Sequence, residues 1–327
     1  MKNEVKTLTD AVRYFADEYV CIRIVSEMRW PNGPVCPVCG SVAERQHFLK
    51  TQKRFQCRDC GKQYSVKVGT IFEDSAIRLD KWLIAMWLLA NCKIGISSYE
   101  LAKAVGITQK SAWFVLHRIR EAMRVGSIVK MGGPDRGPVE VDEAFIGGTP
   151  KFMHAKRRMS LGYGIGGRTA KVPVMGMLDR DSRQVRAQVV PNVKRETLQN
   201  AILKEIESGS TIYTDNSSTF DTLEAKQYVH DTVNHVEEYV RGQVHTQGIE
   251  NFWSLLKRGL KGTYISVEPF HLDKYVTEQV FRFNNRATKD NPLNDADRFL
   301  LAVSQISGKR LTYADLTGKV PGTSQPF

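Results

Sequence analysis

The sequence predicts a multidomain α+β protein: a small cysteine-built ribbon, a compact helical region, and a larger α/β domain around a mixed sheet. Three observations carry this. Two Cys-x-x-Cys pairs lie near the start, an almost wholly apolar helical run is followed by two short capped helical patterns, and from Val141 onward apolar, β-branched runs alternate with helical periodicity. A length of 327 residues suits two or three domains with ample core for each.

Hydrophobic residues make up 42% of the chain, which marks a folded protein. Lys plus Arg number 47 against 35 Asp plus Glu, a net charge of +12. That balance suggests a polyanionic partner without identifying it. No run of 18 apolar residues occurs, and the start, Met-Lys-Asn-Glu-Val-Lys, lacks the apolar core of a signal peptide. The expectation is therefore a cytoplasmic protein.

Residues 9 to 29 carry two short amphipathic helical patterns with caps expected at Thr9 and Asp17, ended by the turn Trp30-Pro31-Asn32-Gly33-Pro34. Cys36 and Cys39 follow, then Cys57 and Cys60, with strand-like runs around Phe48, Phe55 and Tyr64. Each Cys-x-x-Cys offers two soft thiolates from one tight turn, and two such turns complete a tetrahedral zinc site. In a reducing compartment this pattern favours a metal over disulfides. A four-thiolate zinc is closed to substrate, so one Zn²⁺ here folds a ribbon and does no chemistry. Lys50, Lys53, Arg54, Arg58, Lys62 and Lys67 surround it, as expected of a ribbon that touches phosphates. Cys21 and Cys92 fall on apolar helical faces and read as core.

Residues 79 to 92 read as a buried helix. Ser97 to Thr108 then gives a short capped helix and a glycine turn, and a second helix starts after the Thr108 cap: the helix-turn-helix pattern. In a DNA-reading version, Gln109, Lys110 and Ser111 face the major groove, Arg118 and Arg120 lie nearer phosphates, and His117 sits on the helix surface. Gly126 to Pro138 reads as a linker. Beyond it, Lys156, Arg157 and Arg158, with glycines at 162, 164, 166 and 167, read as a flexible basic loop that touches DNA.

The Asp142 strand, followed by the hairpin Val172–Leu178 and Gln184–Val190, predicts an antiparallel meander. A helix over 197–208 then crosses over to a strand at Thr211–Asp215. This β-β-β-α-β order is the ribonuclease-H-like arrangement, in which the first and fourth strands are neighbours. Asp142 and Asp215 would thus meet although 73 positions separate them. Glu250 opens an amphipathic helix 35 positions after Asp215, and Lys257 shares its face. Three acids held on two strands and a helix, with a lysine two turns on, can hold two divalent metals beside a phosphodiester. Asp179 and Asp181 read as turn formers, and Asp231 as flanking a fifth strand. Glu143 alternates to the opposite strand face from Asp142 and is expected to stand apart. Asn251 rivals Glu250 as the third ligand, the carboxylate being better suited to a hard cation. Trp253 reads as core packing.

The runs Val141-Asp142-Glu143-Ala144, Tyr213-Thr214-Asp215-Asn216 and Gly248-Ile249-Glu250-Asn251-Phe252-Trp253-Ser254-Leu255-Leu256-Lys257-Arg258 resemble the signature of DDE transposases of bacterial insertion sequences. The resemblance is to the group with an amino-terminal zinc ribbon (insertion-sequence family fifteen-ninety-five, ISXO-two-like), over roughly residues 20 to 290. It implies cleavage of element ends and joining of the 3′-hydroxyl to target DNA. Asp142 would bridge two Mg²⁺ or Mn²⁺ ions, Asp215 and Glu250 would complete one site each, and Lys257 would grip a phosphate. Implied partners are double-stranded DNA, as terminal inverted repeats and as target, and further copies of the chain when two ends are synapsed. The implied location is the bacterial cytoplasm, on the nucleoid when DNA is bound. His245, in a run similar to the family's His-Thr-Gln-Gly-Ile-Glu, stays open between a substrate contact and a plain loop residue. The expected division is residues 1–75 for helices and ribbon, 76–135 for helix-turn-helix and linker, 136–290 for the catalytic domain, and 291–327 for a tail. A zinc-ribbon regulator without catalysis would need none of the acids. A ribonuclease-H-like nuclease without strand transfer would not need two separate DNA-binding modules.

Overall fold

The computed structural model describes residues 5–124, 126, 129–147, 154–160, 171–215, 219–233, 244–289 and 291–319. The chain forms two compact units. One combines everything up to Val125 with Asn285–Thr323, and the other is built chiefly from Gly126–Asn284.

The first unit starts with α1 (Leu8–Phe15) and α2 (Glu18–Arg29). Thr7, rather than the expected Thr9, caps α1: its hydroxyl accepts the amide of Asp10 while the Asp10 carboxylate accepts the amide of Thr7. Asp17 caps α2 as expected. Strands β1 (Gln46–Leu49), β2 (Arg54–Cys57) and β3 (Gln63–Tyr64) form an antiparallel ribbon, packed through Trp30, Phe48, Phe55 and Tyr64. Helix α3 (Leu79–Asn91) buries Trp82, Leu83, Met86, Trp87 and Leu89 and forms the centre of this unit. Helix α4 (Ser98–Val105) is closed by Gly106 in the left-handed region, a conformation an L side chain resists, and Thr108 caps α5 (Gln109–Ala122). Two short helices joined by a glycine turn thus lie where the sequence predicts the helix-turn-helix pattern.

The second unit is organised around one five-stranded mixed sheet. Strand β4 (Val139–Ile146) is followed by the short helix α6 (Ala155–Ser160), so the stretch read as a basic loop contains a helical turn and a half. Strands β5 (Val172–Asp179) and β6 (Val185–Val189) continue β4 antiparallel. Helix α7 (Arg195–Glu205) returns the chain to β7 (Thr211–Asp215), parallel to β4, and β8 (Val229–Val233), which contains Asp231, lies parallel to β7. The order β6-β5-β4-β7-β8 is the ribonuclease-H-like one. Val139 and Val141 face Leu198, Ala201 and Ile202 of α7. Ala144 and Ile146 face α8 (Gln247–Gly259) and α9 (Leu272–Asn284), through Ile249, Phe252, Trp253, Leu256, Val276 and Phe283.

The chain after residue 291 is not a tail. Helix α10 (Asp295–Ser304) completes the core of the first unit, with the Phe299 ring 5.2 Å from Phe15 and 5.5 Å from Trp87. Arg298 Nε donates to Asn91 Oδ1 at 2.9 Å, tying α10 to the end of α3. Helix α11 (Tyr313–Leu316) lies beyond it. Phe299 is fully buried, so Phe299→Ala is expected to cost the protein about 3–5 kcal/mol. Urea unfolding followed by tryptophan fluorescence measures this, and a loss under about 1 kcal/mol would contradict the assignment of α10 to the core.

Candidate active site and zinc centre

The four ribbon cysteines converge. Their Sγ atoms all lie within 4.8 Å of one another, with Cys36–Cys60 at 3.7 Å and Cys39–Cys57 at 3.6 Å. A tetrahedron with Zn–S bonds of about 2.3 Å has edges of about 3.8 Å, so the donor set fits zinc. Gly40 and Gly61, each following a cysteine pair, turn the backbone through the left-handed region. The backbone amide of Cys60 contributes most to holding the Cys57 thiol down at about 6, against the effect of burial. Among the described residues this is the one cluster of three or more such ligands so tightly gathered.

The basic residues divide. Lys50, Arg54, Arg58 and Lys62 are exposed. Lys53 instead pairs with Glu18, and Lys67 donates to the carbonyls of Ser75 and Ile77. On α5, Lys110 is exposed, while Gln109 and Ser111 are half-buried and bonded to Ser98 and Thr108 within the motif. Arg118 and Arg120, expected near phosphates, are buried at 4% and 1% exposure, and His117 is buried too. Arg118 donates to the carbonyls of Leu311 and Glu73, so it knits the core instead of facing DNA. Of the α6 residues Lys156 is exposed; the side chains of Arg157 and Arg158 lie outside the described residues. Arg282 of α9 is buried against Glu278 and Gln279.

The acids come together through the sheet. In the parallel β4–β7 pair Glu140 stands opposite Tyr213; two residues further along both strands, the same register sets Asp142 beside Asp215. Burial, then the charge of Asp215, and lastly that of Glu250 push the Asp142 carboxyl up to about 6, while the Glu143 amide and the Trp253 indole oppose the shift. The Glu143 amide donates to Asp142 Oδ1 at 2.8 Å and Trp253 Nε1 to Oδ2 at 2.9 Å, so both oxygens are oriented. Trp253 is therefore more than packing: it lies over Gly176, where an added Cβ would come 2.6 Å from its ring. Glu250 is exposed, and Thr246 Oγ1 donates to its Oε1 at 3.2 Å. Asn251 and Lys257 are exposed on the same helix. No trio of acids among the described residues closes to within 4.8 Å.

Glu143, next to Asp142 on β4, also carries a raised carboxyl. Burial, then the charges of Asp215 and Asp142, hold it up at about 7. Sequence reading also missed buried Glu140 and half-buried Arg180, which pair at 2.7 Å; Arg180 in turn holds His245. The available signal was a second acid two residues before Asp142 on the same strand face.

Residues 136–284 match the model of the ISXO2-like transposase domain, and residues 16–63 that of the transposase zinc-ribbon domain. A transposase-like protein of Haemophilus influenzae is 33% identical over 101 residues, spanning 31% of this chain and 81% of that one. The chain belongs to this transposase family. An uncharacterized protein in transposable element ISH50 of Halobacterium salinarum is 27% identical over 261 residues, covering 76% of the transposase and 85% of the relative. Among solved structures, the catalytic core domain of BIV integrase gives a TM-score of 0.33 at 13% identity, over 50% of this chain and 93% of that one. The simian T-cell lymphotropic virus intasome in complex with PP2A regulatory subunit B56 gamma gives 0.31 at 14% identity, over 65% and 74%. No helix among the described residues of the transposase is long and apolar enough to cross a membrane.

Two outcomes follow from this geometry. Cys57→Ser is expected to release the ribbon's zinc and unfold β1–β3, read as zinc per chain by elemental analysis and as heightened protease cleavage within residues 36–64; full zinc retention would contradict the four-thiolate site. For the acids, the folded state keeps the Asp142 proton to higher pH than the unfolded chain does. Metal-free stability therefore falls as pH rises from 3.8 through about 6. Asp142→Asn should gain in melting temperature relative to wild type across that window, and a constant difference between the two would show that the carboxyl is not raised.

Proposed function

We propose that this transposase cleaves the ends of its own element and joins the freed 3′-hydroxyl to target DNA, with Asp142, Asp215 and Glu250 as ligands for two Mg²⁺ or Mn²⁺ ions. The observation that carries the reading is the parallel register that sets Asp142 beside Asp215. Burial first, then the charge of Asp215 and least that of Glu250 raise the Asp142 carboxyl, and these acids come from three separate elements. Hard carboxylate oxygens that repel one another in a half-buried site are a donor set a divalent cation relieves. When bound, the ions supply Lewis acidity at the phosphate and at the attacking oxygen.

The chain's own groups do the rest. Trp253 and the Glu143 amide aim the Asp142 oxygens, and the Thr246 hydroxyl steadies Glu250. Glu250 is preferred over Asn251 because a carboxylate binds a hard divalent cation better than an amide does. Lys257, exposed two turns along α8 from Glu250, grips a neighbouring phosphate. Gln109, Lys110 and Ser111 at the start of α5, with Lys156, Arg157 and Arg158 of α6, contact duplex DNA, and the zinc ribbon adds Lys50, Arg54, Arg58 and Lys62. Terminal inverted repeats and target DNA are the partners, copies of the chain synapse two ends, and the work takes place on the bacterial nucleoid.

The test is cleavage and joining of a labelled element-end duplex in Mg²⁺ or Mn²⁺. Asp142→Ala, Asp215→Ala and Glu250→Ala should each lower joining by about 10³-fold or more while DNA binding survives. Cleavage without joining would favour the nuclease reading, and an active Glu250→Ala beside a dead Asn251→Ala would move the third ligand to Asn251.

A further inference from the structure

A partly buried charge network centred on Glu140 underlies the helix that carries Glu250. Glu140, on β4, is 1% exposed. Its Oε1 accepts from Arg180 Nε at 2.7 Å, and its Oε2 accepts from the backbone amide of Ile249 at 2.9 Å. Ile249 sits in the first turn of α8, directly before Glu250. Helices usually satisfy such first-turn amides with the side chain of their own N-cap residue. Here the N-cap, Thr246, makes no such bond, and its hydroxyl goes to Glu250 instead. Glu140 thus caps α8 from the sheet, where a carboxylate also meets the positive end of the helix dipole. The fit is close: a Cβ added to Gly248 would lie 2.8 Å from Glu140 Oε2.

Arg180 extends the network. One of its terminal nitrogens lies 2.7 Å from the carbonyl oxygen of His245, to which it donates, and 2.7 Å from His245 Nδ1. Its guanidinium lies 4.8 Å from the ring centre of Tyr213 on β7. Each contact therefore falls beside a proposed ligand: Glu140 two residues before Asp142, Tyr213 two before Asp215, and Ile249 one before Glu250. An ion pair with a buried carboxylate is a poor source of stability compared with apolar side chains of the same volume. What it supplies is direction, since two hydrogen-bonded charges tolerate far fewer relative placements than packed methyl groups.

We infer that Glu140 and Arg180 are positioning residues: Glu140, held by Arg180, caps α8 from the sheet and so sets Glu250 against Asp142 and Asp215. The inference rests on the three-carboxylate reading. His245, in this arrangement, is a partner of Arg180.

The experiment is Mn²⁺ titration of the full-length, zinc-loaded protein by electron paramagnetic resonance, with thermal unfolding on the same samples. Glu140→Gln keeps an acceptor for the Ile249 amide but removes the charge facing Arg180. It is expected to weaken Mn²⁺ binding about tenfold, the range of supporting groups around metal ligands, and to have no further effect in a Glu250→Ala background. Arg180→Lys keeps the charge but not the fork that spans Glu140 and His245; it is expected to weaken binding in the same way, and it serves if Glu140→Gln does not fold. Wild-type Mn²⁺ affinity in both variants, whatever their melting temperatures, would overturn the inference. So would an equal loss with and without Glu250, because the pair would then act on β4 alone. Wild-type protein that binds no Mn²⁺, or binding indifferent to Asp142→Ala, would instead remove the metal reading, and the inference with it.

Discussion

The parallel pairing of β4 with β7 is the constraint on which the second unit depends. A parallel neighbour cannot be reached by a hairpin, so the chain must cross one face of the sheet, and α7 is that crossing. Its apolar side then covers Val139, Val141 and Ile212, leaving the opposite face for α8 and α9. The register of the pair aligns Asp142 with Asp215 where β7 stops. At that point ladder hydrogen bonding gives out and side chains have room to converge. Open α/β sheets commonly place their ligands at the carboxyl ends of parallel strands, and here the same end holds the acids.

What could be read from the sequence was local. Two Cys-x-x-Cys turns, the caps at Asp17 and Thr108, and the β-β-β-α-β order each have signatures within a few residues or in element order, and each appears in the structure. What escaped depended on partners far along the chain. Arg118 and Arg120 look like the polar end of a DNA-reading helix, yet both are buried; Arg118 donates to Leu311, whose distance in sequence no periodicity reveals. Glu140 and Arg180 look like ordinary surface charges for the same reason. The cap at Thr7 instead of Thr9 is a smaller case: either threonine satisfies the pattern, and Asp10 three residues after Thr7 decides.

The acid site and the zinc ribbon solve opposite problems. In the ribbon, the thiols are close enough for one ion to bind all four, and that binding free energy is folding free energy. In the sheet, carboxyls are gathered in a partly buried place, and burial first, then the charges of neighbouring acids, raise Asp142 and Glu143. Such an arrangement opposes stability, as functional sites commonly do, and the surrounding apolar clusters offset it.

The return of residues beyond 285 to the first unit has a consequence for synthesis. Phe15 and Trp87 leave the ribosome early, yet their partner Phe299 emerges only after the whole second unit has been made. At roughly 5–20 residues per second, the nascent helical bundle waits tens of seconds with an open core. During that interval the emerging ribonuclease-H-like unit can close by itself, so the domain that begins first in the chain is the one that finishes last.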